Sequence, residues 1–115
     1  MIRLDTTTRT LQLFLAGAVT TNQLQVTVCY SDQTTSTYLG STQLSTSNNT
    51  TAVVICSAPA SGAVRDIDMV NVLNTDTASA TVTIEIVDTS TAYQQISVAL
   101  AVGDKLTYTH GSGWQ

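Results

Sequence analysis

"VNVLNTDTASATVTIEIVD", residues 70–88, sets two apolar-rich runs on either side of a small polar knot. The second run alternates, with Val82, Ile84 and Ile86 on one side and Thr81, Thr83 and Glu85 on the other. A period of two belongs to an extended strand lying half in a core, because successive side chains point to opposite faces. In the knot, Asn74 and Asp76 tolerate turn geometry and bond their own backbone. We therefore read residues 74–80 as the connection of a β-hairpin and residues 81–88 as its return strand.

The same period runs outward in both directions, and helical spacing is hard to find. "TLQLFLA" puts Leu11, Leu13 and Leu15 on one face, and "NQLQVTVCYSD" does the same with Leu24, Val26, Val28 and Tyr30. "STYLGSTQL" alternates weakly and carries Gly40, which predicts an edge or bulged strand. "TAVVICSAP" follows the turn cluster "STSNNTT" and stops at Pro59. In "VRDIDMVNVLN" the alternation changes frame, which predicts a strand covered on both faces or a bulge near Met69. "AYQQISVALA" continues through Ile96, Val98 and Leu100, and "VGDKLTYT" turns at Gly103-Asp104 before Leu106 and Tyr108. "HGSGWQ" reads as a mobile, Gly-flanked tail. About 7–9 short strands at these spacings predict a single all-β domain, an antiparallel β-sandwich of jelly-roll or immunoglobulin-like type. Residues 10–115 form the sandwich, and residues 1–9 are an N-terminal arm or a first edge strand.

Composition narrows the function classes. The 115 residues are 43% hydrophobic, enough for a core, but only 10% charged, against about 25% in ordinary domains. About a fifth of the chain is threonine. A sheet face made of Thr costs little to desolvate, because hydroxyls are far cheaper to bury than ions; high strand propensity explains the same Thr content equally well. The net charge is −4, and Arg3, Arg9, Arg65 and Lys105 are scattered. That pattern gives no footprint for nucleic acid or for an anionic membrane. No run is long enough to span a bilayer. "MIRLDTTTRT" lacks the features of a secretory signal, so we expect synthesis in a reducing compartment with Met1 as the start. There Cys29 and Cys56 are expected to stay free and inert.

The search for chemistry finds little. His110 lies in the Gly-flanked tail, with nothing to hold it for nucleophilic catalysis. Asp66 and Asp68 share a predicted strand face, a spacing open to a cation or an acid–base pair, but also to pairing with Arg65 and Lys105. Cys29, Cys56 and His110 lack zinc-site spacing, and no glycine loop is present to cradle a phosphate. Asn48 and Asn49 open overlapping glycosylation sequons that need a secretory route to matter. Tyr30, Tyr38, Tyr93, Tyr108 and Trp114 are either a carbohydrate platform or packing. We expect no enzyme, catalytic residue, cofactor or metal.

Residues 63–114 carry a resemblance. "VRDIDMVNVLNTDTASATVTIEI" followed by "LAVGDKLTYTHGSGW" resembles a small β-sandwich module of virion structural proteins in tailed bacteriophages. The shared features are a hydrophobic strand ending at Asn74, the Thr/Val run Thr81 to Ile86, the series Leu100, Gly103, Asp104, Leu106, Tyr108 and Thr109, and Gly113-Trp114. "TTAVVICSAPASGAVRDI" matches the usual lead-in. With this lead-in the likeness covers more than half of the chain. The resemblance implies a structural virion protein, oligomeric and without catalysis. Nothing precedes or follows the module to supply a fibre stalk, which favours a capsid decoration or cement protein bridging major capsid protein subunits. Such a protein is expected as a homotrimer on the outer capsid, made in the host bacterial cytoplasm. The other placements are a tail, neck or fibre component, or a host-glycan-binding tip. Ile2, Arg3, Leu4 and Arg9 are the candidate capsid-contacting arm, with the first strand of the sandwich as the competing place for them.

Overall fold

A computed structural model describes all 115 residues and holds ten strands and no helix. In chain order these are β1 (Ile2–Leu4), β2 (Arg9–Leu15), β3 (Gln25–Gln33), β4 (Tyr38–Thr46), β5 (Val53–Cys56), β6 (Val64–Leu73), β7 (Ala80–Asp88), β8 (Thr91–Leu100), β9 (Lys105–Thr109) and β10 (Gly113–Trp114). They make two antiparallel sheets, one ordered β10-β9-β6-β3-β4 with β1 also on β6, the other β5-β2-β7-β8. The all-β sandwich expected from the alternation is present. The strand number exceeds the expected range because β1 and β10, of three and two residues, are too short to show a period.

The strand neighbours, though not their order along the chain, are those of a jelly roll. A jelly roll, lettered B to I along its chain, pairs B-I-D-G against C-H-E-F in two Greek keys. Here β8-β7-β2-β5 take the places B-I-D-G and β6-β3-β4 take H-E-F, in a permuted chain order: β2 to β7 run from D to I, and β8 at B follows them. Position C is shared by the two ends of the chain. β9 pairs with Met69–Leu73 of β6, β1 pairs with Arg65–Ile67, and between them the His110 amide donates to the Asp68 carbonyl at 2.9 Å. An immunoglobulin-like reading accounts for β9-β6-β3-β4 against β2 and β5, but it has no place for the β7–β8 hairpin beside β2.

Eighteen buried apolar side chains form one core between the sheets. Leu11, Leu13 and Leu15 of β2 face Val26 and Val28 of β3, with Val70 and Val72 of β6 alongside. Ile2 and Leu4 of β1 lie in the same core, 5% and 0% exposed. This places residues 2–4 as the first strand of the sandwich, the second of the two places expected for them, with Arg3 left exposed. Ile2 and Leu4 are spent on the core and cannot touch a partner without leaving it.

The frame shift near Met69 is a bulge. Cys29 pairs with Met69 and Tyr30 with Ile67, which leaves Asp68 as the extra residue of β6. The tail expected to be mobile folds back as β10. Gly111 and Gly113 take φ of 93° and 74°, a left-handed backbone that favours glycine, and bring Trp114 onto Tyr108 at a 5.0 Å ring distance.

The opening stretch is not a hairpin. β6 and β7 lie in different sheets, and residues 74–79 cross the gap between them. Both edges of β6 are already occupied, by β3 on one side and by β9 with β1 on the other, so β7 has no edge there to pair with. The polar knot instead fastens the loops at this end of the sandwich. The Asn74 amide donates to the carbonyls of Ala78, Leu100 and Ala101 at 3.0, 3.0 and 3.2 Å, and its oxygen accepts from the Asp76 amide. The Asp76 carboxylate accepts from the amides of Thr20, Thr21 and Asn22 at 2.9, 2.8 and 3.1 Å.

These amides, Thr20 foremost, pull Asp76 down to about 2 from an ordinary 3.8. A depressed carboxylate stabilises the fold above its unfolded pKa and loses that contribution as pH falls through the folded one. Wild type should therefore lose stability from about pH 4 towards pH 2, and the gap between wild type and Asp76→Asn should close over the same window. Urea midpoints at several pH values measure this, and a gap that stays constant to pH 2 would show that the carboxylate charge is not what holds the loop.

Candidate interaction surfaces

The three arginines and their partner carboxylates gather at one end of the sandwich. The Arg3 guanidinium donates to Asp66 at 2.7 Å, and Arg9 to Asp5 at 2.6 Å and to Asp88 at 3.3 Å. Arg65 forks onto both Asp32 oxygens at 2.7 and 2.9 Å, donates to the Ser57 carbonyl at 2.7 Å, and lies 4.1 Å from the Tyr30 ring centroid. The Thr8 hydroxyl, then Arg9, holds the Asp88 carboxyl below its ordinary range. Asp68 accepts from the Ser31 hydroxyl. Asp66 and Asp68 thus have separate partners, Arg3 and Ser31, and neither pairs with Arg65 or Lys105 as the spacing allowed. No group of three His, Cys, Asp or Glu side chains stands close enough to hold a metal ion.

The remaining candidates for chemistry stand apart. His110 is exposed in the β9–β10 turn. Cys29 and Cys56 are both free thiols. Burial, only partly offset by Arg65, pushes Cys56 up to about 11, so it is a thiol packed in the core and not a nucleophile. Among the aromatics, Tyr108 and Trp114 pack together and Tyr30 lies beneath Arg65, while Tyr38 and Tyr93 are exposed on opposite edge strands. The five aromatics build no common platform. A recess of about 260 Å³ between Arg3, Arg9, Ile86, Asp88 and Tyr93 is lined by the ion pairs above. Of the expected contact residues, Arg3 is exposed and Arg9 half-buried at this recess, and both are engaged with carboxylates of their own chain.

What the fold presents outward is therefore mostly sheet. On the β3-side sheet the core residues alternate with rows that cross four strands. One row is Thr107, Asn71, Thr27 and Leu44, and the next is Thr109, Met69, Cys29 and Thr42. A third row, Lys105, Leu73, Gln25 and Thr46, carries the one charge of the three. The other sheet is similar. Val54, Gln12, Glu85 and Gln94 make one row, and Phe14, Thr83 and Ser97 the next, so Glu85 is the one charge among them. Both outer faces are hydroxyl, amide and apolar surface. The sequence anticipates this from the threonine content, but not that all three arginines and their partner carboxylates collect at one end.

The edges are open as well. β4 ends one sheet, pairs only with β3, and exposes Tyr38, Leu39 and Leu44. β8 ends the other and exposes Tyr93. Compared with known proteins, the chain matches no family model, no curated protein and no solved structure.

Proposed function

We propose that this chain is a structural, non-catalytic protein of a tailed-bacteriophage particle. In this reading it decorates the outer head surface and bridges neighbouring major capsid protein subunits. The observation that carries it is the near absence of charge on both outer sheet faces. Such faces can be buried against protein without stranding ions. The resemblance of residues 63–114 to virion modules supplies the particle. The mechanism is contact area repeated over a lattice: a standard contact hides about 800 Å² per partner, and many modest contacts on one shell sum to strong retention.

Copy number tests the proposal. In purified particles the chain should approach the abundance of the major capsid protein, measured by quantitative mass spectrometry. A handful of copies per particle would move it to the tail, neck or fibre.

A further inference from the structure

We propose that the β4 side of the sandwich is a self-association surface, on which a second copy of this chain pairs strand to strand across a two-fold axis. Sheet edges are templates for further strands, and proteins that stay single guard them with charge, proline or a bulge. β4 has none of these. It runs nine residues in unbroken register with β3 and contains no proline. No charged residue occurs anywhere between Asp32 and Arg65.

The unguarded surface is wider than one strand. β5 is the edge of the other sheet on the same side of the molecule, and the Gln43 side chain ties the two edges together. It donates to the Val54 carbonyl at 3.4 Å and accepts from the Ser57 amide at 3.1 Å. Tyr38, Leu39, Leu44 and Val54 are four of the seven large apolar side chains that the chain exposes, and all four lie here. β8 is the poorer edge, because a register break at Gln95 interrupts its pairing.

Charge selects the occupant. The chain carries a net −4, so two copies repel unless they meet on a side that holds none of it. β4 and β5 themselves hold none of it, and the nearest ions, Asp32 beside Leu39 and Arg65 beside Ser57, are paired with each other. A strongly basic or acidic partner would find no counter-charge there, whereas an identical edge brings matching hydroxyl and apolar groups. An antiparallel strand paired with itself is isologous, which closes at two copies. This differs from the threefold assembly that the virion resemblance implies.

Light scattering on the purified full chain at micromolar concentration tests the inference. The expected mass is about twice the 12.1 kDa of one chain. The variant Leu39→Lys with Leu44→Lys should run as a monomer with unchanged circular dichroism, since both side chains are exposed. Gln94→Lys on β8 should remain a dimer. A monomeric or trimeric wild type overturns the pairing, as does a dimer that survives the double lysine change. The result is independent of copy number: a dimer present in few copies per particle would keep this inference and remove head decoration.

Discussion

A chain lacking residues 1–4 should lose on the order of half its folding stability at room temperature. Burial of Ile2 and Leu4 contributes about 1.5–3 kcal/mol each. Their loss also bares the edge of β6 at Arg65–Ile67 and takes the Ile2 amide from the Tyr108 hydroxyl, to which it donates at 2.7 Å. Together this removes on the order of 4–7 kcal/mol from a fold whose total is about 5–15 kcal/mol. Arg3→Ala alone should cost under about 1 kcal/mol, because Arg3 is half exposed and exposed pairs contribute little. Urea unfolding followed by circular dichroism separates the two. If the truncated chain kept a cooperative transition within about 1 kcal/mol of wild type, β1 would not be part of position C, and residues 1–9 would be free to act as an arm.

The comparison between sequence and structure turns on which signals are local. Alternation marks strands and their inward residues, so Leu11, Leu13 and Leu15, Val26 and Val28, and Leu106 and Tyr108 were legible as core. A change of frame within one strand is local too, and it located the bulge beside Met69. The weak alternation around Gly40 belongs to an edge strand because β4 packs neither face fully against the core. Pairing partners are not local. A period of two is the same whether the next strand returns in the same sheet or crosses to the other, so residues 74–80 could be read as a hairpin. Their length argued against it, since favoured hairpin loops are two to five residues.

The candidate sites failed for a similar reason. Asp66 and Asp68 share a face only if the strand between them is regular, and the extra residue at Asp68 breaks that regularity. Arg65 shows the reverse. Its place two residues before Ile67 puts it on the inward face, but only the fold reveals Asp32, Tyr30 and Ser57 around it. The gathering of the three arginines and their partner carboxylates at one end, and the bare β4 and β5 strands that result, depend on five strand ends meeting. No window of sequence contains that.

Asn74→Ala should cost about 3 kcal/mol, the largest effect expected of a single polar substitution here. Asn74 is 1% exposed, and no buried polar side-chain atom in the structure lacks a partner. Its amide satisfies carbonyls of three residues, two of them at the end of β8 and the start of the following turn, while its oxygen orders Asp76. Truncation strands the buried Leu100 carbonyl away from water and loosens the segment that presents Asp76 to Thr20–Asn22. Asn74→Asp distinguishes bonding from volume, because it keeps the shape and removes the donor. At neutral pH it places a carboxylate against three carbonyl oxygens and should do no better than alanine. Urea midpoints for the two variants give the answer. An aspartate variant within about 0.5 kcal/mol of wild type would mean that Asn74 fills space in the crossover without clasping it, and the role of "NTDTASA" in joining the two sheets would pass to Asp76 alone.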